Sequence, residues 1–254
     1  PYFPDRGCND SLSSMKIIAT GGSDSVSFSH FAEIENPGGD LFEEFEDLAI
    51  GDLVTTGNAG YNELVYADLS DYFYAYQYNG AAMDEVETYD TQTIFSTTFD
   101  RSEDSGNQIY GDRITCGDFS DESGSIKDSS GNYLGDYKDE IVFMDFNENR
   151  IYIFDPRITS RDKIVSQFDY GSEHGDNLSA GNLDGTLPGW EFVVHQNSGH
   201  IRIRRGDNSV VSTVSWTHQL GDQMAAGELN GDNRAEVLHL DHHSTVSDPV
   251  GKIR

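Results

Sequence analysis

Two short blocks recur four times, in the same order, along this chain of 254 residues. The first block is LAIGDL (48–53), ITCGDF (114–119), LSAGNL (178–183) and MAAGEL (224–229). Each copy is an apolar residue, two mostly small ones, a glycine, an oxygen-bearing residue, then Leu or Phe. The second block follows after a loop of variable length, as ELVYAD (63–68), EIVFMD (140–145), EFVVHQ (191–196) and EVLHLD (236–241), and it opens on Glu every time. Such self-similarity constrains a fold more than any single motif. Each repeat must be one structural unit whose apolar face is buried only against the next unit.

Two further runs follow the first two blocks in each complete unit. A third is YFYAYQY (72–78), RIYIF (150–154) and HIRIR (200–204), and a fourth is QTIFSTTF (92–99), KIVSQF (163–168) and SVVSTVSW (209–216). These are strand lengths rich in β-branched and aromatic residues, bounded by Gly, Asn, Asp and Ser. No helix of convincing period appears; LFEEFEDL (41–48) is the nearest, and it is short.

Each unit therefore reads as four short antiparallel strands, and the glycine spacings of 66, 64 and 46 residues bracket one propeller blade. The small residues before each glycine suit an innermost strand, where blades converge. The sequence predicts an all-β chain: a β-propeller of four-stranded antiparallel blades, about four units visible, part of a larger propeller. Residues 1–14 form an N-terminal extension, residues 15–47 a partial blade, and blades begin near residues 48, 114, 178 and 224.

The stretch from Gly227 to Asp241 (GELNGDNRAEVLHLD) places oxygen-bearing side chains at positions one, three, five and nine. With the repeats around it, this stretch resembles the FG-GAP or VCBS repeats of integrin-α-type propellers, over about residues 15–254. The family's loop between the first two strands of a blade binds Ca2+, so the resemblance implies calcium ligands here. In the fourth unit they fall on Glu228, Asn230, Asp232 and Glu236. Glu replaces the first and last Asp of the family pattern, and Asn233 stands where a glycine is usual. In the third unit they are Asn182, Asp184 and Glu191, with one extra residue before the Glu. The second unit offers Asp118, Asp136 and Glu140 around a long insertion. The first keeps Asp52 and Glu63 but has Val54 at a ligand position. The Phe-Gly and Gly-Ala-Pro signatures of the family are absent.

Calcium takes six to eight hard oxygen ligands at about 2.3–2.6 Å, and a tight loop of alternating acidic side chains delivers them. An EF-hand is excluded because its twelfth position would be His239, flanked by strands. The bland rival is an Asx-rich turn that satisfies itself through its own backbone.

Charge narrows the partners. With 45 acidic and 16 basic residues the formal net charge is -29, so nucleic acid and anionic membrane are repelled. Protein or glycan ligands remain, and copies of the chain itself. No apolar run approaches the roughly 20 residues that span a bilayer. Cys8 and Cys116 fit no zinc spacing, and Cys116, in an inner-strand slot, is expected to be a buried thiol. The sequons at Asn9 and Asn177 are permissive of secretion only.

Several features invite sharper readings. Tyr72, Tyr74, Tyr76 and Tyr78 share one face of a strand, suited to sugar stacking or to packing between blades. Arg205-Gly206-Asp207 would occupy a turn, where Gly and Asp are ordinary. His239, His242 and His243 lack assured convergence on a metal. No nucleophile elbow, His-Glu-x-x-His or phosphate loop is present.

These features point to an extracellular, calcium-binding, non-catalytic binding, adhesion or assembly module. Rival readings are a polysaccharide-acting, lyase-like propeller and a lectin. Residues 15–31 align with third and fourth strands, and VGKIR (250–254) looks like another third strand. The chain by itself is therefore expected not to close a ring, which favours head-to-tail assembly.

Overall fold

The computed structural model describes residues 11–19, 26–35, 47–53, 62–68, 71–78, 83–103, 109–158, 163–170, 177–185, 189–196, 200–215, 223–228, 232, 234–241 and 252–253. For strand residues 11–19, 26–35, 68, 78, 101–103, 109–110, 196, 240–241 and 252–253 the description is of backbone alone. An antiparallel hairpin opens the chain, formed by β1 (Ser11–Ala19) and β2 (Val26–Glu35). Blade one follows as β3 (Asp47–Gly51), β4 (Glu63–Asp68), β5 (Tyr72–Tyr78) and β6 (Met83–Asp90). After it come α1 (Thr91–Phe95) and a small hairpin of β7 (Arg101–Glu103) and β8 (Ile109–Gly111).

Blade two is β9 (Arg113–Gly117), β10 (Glu140–Asp145), β11 (Arg150–Phe154) and β12 (Ile164–Asp169). Blade three is β13 (Asn177–Gly181), β14 (Glu191–Gln196), β15 (His200–Arg205) and β16 (Val210–Ser215). Blade four shows β17 (Gln223–Glu228), β18 (Ala235–Asp241) and the short β19 (Lys252–Ile253). Within every blade the strands lie in chain order, each antiparallel to the last. The first strands β3, β9, β13 and β17 stand side by side in that order. This is a β-propeller, its blades fanning from converging inner strands.

The register explains the repeated sequence. Side chains alternate along each strand, so one set faces the preceding blade and the other the following one. From blade one, Ala49, Val65, Ala67, Phe73 and Ala75 meet Ile114, Cys116, Ile141, Phe143, Tyr152 and Phe154 of blade two. From blade two, Val142, Met144, Ile151 and Ile153 meet Leu178, Ala180, Phe192 and Val194 of blade three. Each large side chain fully buried in these layers contributes about 1.5–3 kcal/mol.

The block-one glycines sit where blades approach most closely. A methyl group on Gly51 would lie 2.6 Å from Cys116 Cβ, and one on Gly181 2.6 Å from Ala235 Cβ. One on Gly117 would lie 3.0 Å from the Trp190 ring. One hydrogen bond repeats at every one of these seams, from the residue before the block-two Glu to the carbonyl after the glycine. It joins Asp139 N–H to Asp52 (2.8 Å), Trp190 N–H to Asp118 (2.7 Å) and Ala235 N–H to Asn182 (2.8 Å).

One expectation needs correction. The fourth strand of unit one is Met83–Asp90, not residues 92–99. That run instead begins with α1, because Asp90 accepts the Thr93 N–H at 2.9 Å as an N-cap, and Ser96 ends the helix in the left-handed region at φ 61°. Phe95 then buries against Phe143 and Tyr152 at ring distances of 5.1 and 5.0 Å. The true outer strand is solvent-exposed along most of its length, so it carried no alternation to read.

Of the tyrosine face, Tyr74 and Tyr76 pack, Tyr72 is exposed, and the Tyr78 side chain lies outside the described residues. Tyr76 is buried and Tyr74 half-buried, with Tyr66 stacked on Tyr74 at 6.2 Å. Cys116 is a free, buried thiol. Burial first, and then the nearby Asp139 charge, push it well above the usual thiol range.

Candidate functional site: acidic loops at the inner ends of the blades

The turn from first to second strand gathers the acidic residues in each blade, and the block-two Glu is its anchor. In blade one, Glu63 is buried, accepting the Leu53 N–H at 2.7 Å and the Gln77 side-chain amide at 2.5 Å. Asp52 pairs with Lys138 of blade two at 2.5 Å. Val54 lies outside the described residues.

In blade two, Glu140 accepts the Phe119 and Ser120 N–H groups at 2.6 and 3.1 Å and the Ser120 hydroxyl at 3.0 Å. Asp118 accepts the Asp136 and Tyr137 N–H groups at 3.0 and 3.1 Å. Burial raises its carboxyl to about 6 despite those bonds. The guanidinium of Arg157 lies inside this acidic set. It reaches Asp136 at 2.5 Å, Glu140 at 2.7 Å and Asp155 at 2.9 Å.

Blade three repeats the arrangement. Glu191 accepts the Leu183 and Asp184 N–H groups at 3.0 and 3.2 Å. Arg205 donates to Glu191 at 3.2 Å and also pairs with Asp184. The antiparallel register sets Arg205 directly across from Glu191. Its guanidinium also stacks 4.1 Å from the centre of the Tyr133 ring. Tyr133 belongs to the insertion of blade two, which clasps blade three. Lys127 pairs with Asp207 at 2.5 Å, and the Tyr133 and Ser209 hydroxyls lie 2.6 Å apart. Asp207 is thereby held by a clasp between blades. Its carboxyl is brought to about 2 against partial burial by the Lys127 and Ser209 hydrogen bonds.

The fourth loop differs. Carboxylate oxygens of Glu228, Asp232 and Glu236 lie within 4.8 Å of one another, the first two residues being exposed. Oxygens on opposite sides of a calcium ion are about 4.6–5.2 Å apart, so this spacing suits one ion. Arg234 turns away to donate to the Leu183 carbonyl at 3.3 Å. Asn230 lies outside the described residues. The fit to calcium thus differs between loops. In the fourth, three carboxylates converge. In the second and third, a guanidinium fills the place between the acids.

The structure brings together Asp136 with Glu140, Asp184 with Glu191, and Glu228 with Asp232 and Glu236. Asp52 is drawn to Lys138 instead of Glu63, and Asn182 uses its backbone carbonyl at the seam. Sequence reasoning missed Arg157 and Arg205. The available signal was a basic residue ending the third strand 14 residues after Glu191, but strand register was needed to read it. His239 faces His195 of blade three across 4.8 Å, both buried, while His242 and His243 lie outside the described residues.

Fold and loops together define a β-propeller protein. No protein-family model matches the chain, and no curated protein matches it. Among solved structures, it is similar to BBS1N in a mercury-soaked complex with ARL6DN, at 8% identity over 91% of this chain and 62% of that one, with a TM-score of 0.46. Saccharomyces cerevisiae Sqt1 gives 11% identity over 97% and 56%, with a TM-score of 0.43. The Dos1 propeller gives 15% over 87% and 54%, with a TM-score of 0.41. The chain spans 54–62% of the length of these solved chains.

Proposed function

We propose that this chain is a non-catalytic assembly module, an extracellular calcium-binding propeller segment that joins head to tail with copies of itself. The inner edges of its two outer blade faces carry the reading; farther out on the blade-one face Tyr66 and Tyr76 are already buried. Inside the chain, Cys116 and Ala180 are buried against the preceding blade, whereas their counterpart Ile50 is 65% exposed. Val65, Val142 and Val193 are fully buried against the following blade, whereas their counterpart Leu238 is 37% exposed. A methyl group on Gly227 would meet no described atom within 4 Å. At the equivalent Gly51 and Gly181 the next blade comes within 2.6 Å of such a methyl.

These two faces are the halves of a seam that already forms three times within the chain. A second copy would set Ile50 over Gly227 and bring Asn62 N–H to the Glu228 carbonyl, as Asp139, Trp190 and Ala235 do at the internal seams. In the hairpin, β2 meets β6, the outer strand of blade one. Because the contact is heterologous, copies close a ring or extend a fibre. The net charge of -29 opposes approach, so association strengthens as salt shortens the screening length to about 8 Å at 0.15 M.

Glu228, Asp232 and Glu236 would hold calcium beside this seam, neutralising the acidic turn. Loop sites in extracellular modules bind at about 10^-4 to 10^-3 M, which matches calcium outside the cell.

Sedimentation of Ile50→Glu and Leu238→Glu variants tests the seam. Wild type should associate reversibly in 0.15 M salt and each variant alone should be monomeric. Mixing the two variants should restore dimers and nothing larger, since one intact seam remains per pair. Wild type that stays monomeric at about 100 μM would overturn the reading.

A further inference from the structure

We infer that Arg157 and Arg205 are built-in cations, standing in the second and third acidic loops where the resemblance implies calcium. Those two blades are therefore metal-independent, and calcium binding is confined to the fourth loop. The inference rests on the geometry of the second and third loops, so it stands or falls apart from the calcium site assigned to the fourth.

A loop of this kind must neutralise two or three carboxylates at the start of a core strand. Buried charge of one sign is costly unless a counter-charge comes with hydrogen bonds. A guanidinium supplies both through five N–H donors in a rigid fork. Arg157 spends that fork on three acids: Nη1 on Asp136 (2.5 Å), Nη2 on Glu140 (2.7 Å) and Asp155 (3.0 Å), and Nε on Asp155 (2.9 Å). Arg205 divides its fork between Glu191 and Asp184. A divalent ion reaches Asp136 and Glu140, or Asp184 and Glu191, only if the arginine swings out, while Asp118 is held by backbone N–H groups.

The two arginines reach their loops by different routes, which argues that the loop selects the charge and not one residue position. Arg205 lies on β15 directly opposite Glu191. Arg157 lies beyond the end of β11, past Asp155, and reaches back. Blade one meets the same need a third way. Gln77 donates to Glu63, and Lys138 of the next blade pairs with Asp52. In blade four, β18 pairs with β19 through Leu240↔Ile253 and Asp241↔Lys252, and no described residue of β19 lies across from Glu236.

Calcium titration calorimetry and thermal melts of the whole chain, with chelator or calcium, test this. Wild type should bind one calcium per chain and Asp232→Asn none. Arg157→Met and Arg205→Met should each melt about 10 °C lower in chelator and recover most of that loss in millimolar calcium, as the released acids take up the ion. Asp232→Asn binding two further ions would overturn the inference, since the arginines would then yield to metal. A loss in the arginine variants that calcium does not reverse would overturn it too, making the arginines packing elements. If neither arginine variant folds, the Asp232→Asn stoichiometry still decides. Wild type binding no calcium would remove the fourth-loop site and leave the arginine assignment standing.

Discussion

The same substitution, glycine to alanine, should have opposite effects at equivalent positions of the four blades. At Gly51 the added methyl would lie 2.6 Å from Cys116 Cβ and 3.0 Å from an Asp139 carboxylate oxygen. Non-bonded carbons settle at about 3.5–4.0 Å, so blades one and two would have to part by about 1 Å at their inner edge. The Asp139-to-Asp52 hydrogen bond lies in the same seam, so that parting stretches it as well. Overpacking of this kind costs about 1–3 kcal/mol, and the seam bond brings Gly51→Ala to the upper half of that range. For a chain of this size that lowers Tm by about 5–10 °C. Gly181→Ala, 2.6 Å from Ala235 Cβ, should behave alike. At Gly227 the methyl meets nothing, and alanine restricts the unfolded chain, so Tm should hold or rise by the equivalent of about 0.5 kcal/mol. The same change should weaken self-association, because the methyl stands where a second copy's blade one would seat. Calorimetric melts of dilute monomer paired with sedimentation at high concentration read both effects. A Gly227→Ala variant as destabilised in dilute solution as Gly51→Ala would refute the reasoning, and so would a neutral Gly51→Ala.

Two further outcomes follow from the buried groups. Asp112 is buried, accepting the Asp100 and Phe146 N–H groups at 2.8 and 2.7 Å, and burial raises its carboxyl to about 8. A carboxyl raised on folding holds its proton longer in the native state, so its contribution is complete below pH ~4 and is lost as pH rises to about 8. Asp118 and Asp139, both raised to about 6 by burial, act in the same direction. Chelated protein should therefore be less stable at pH 8 than at pH 5, and Asp112→Asn should flatten that slope; chemical denaturation across this range checks it. Cys116, shut between blades one and two, should resist alkylation in the native state and react only as fast as that seam opens, which timed mass measurement with a thiol reagent would reveal.

Much of the fold was legible because the blade interfaces are written as composition. Glycine after two small residues records the close approach of inner strands, and the constant Glu records, in blades one to three, an anchor for N–H groups of the preceding turn. Where a strand faces solvent on both sides, as Met83–Asp90 does, no face needs apolar residues, and the pattern vanished. The β-branched run beside it looked like a strand, but Asp90 and the aromatic layer under Phe95 made it a helical turn. The acidic loops were legible only as places that need a counter-charge, because oxygen spacing alone does not distinguish a divalent ion from a guanidinium in that role.

The sequence by itself determined the repeat, the four-strand unit, the buried thiol and the place where negative charge accumulates, since all of these are local or periodic properties of the chain. Only the tertiary structure decided which cation meets that charge, because the register of β15 against β14 is what sets Arg205 across from Glu191, and the path beyond β11 is what carries Arg157 back to Asp136. It also decided which faces are spent and which remain open. Ile50 and Cys116 occupy the same slot in their repeats, yet Ile50 is exposed and Cys116 is buried against blade one.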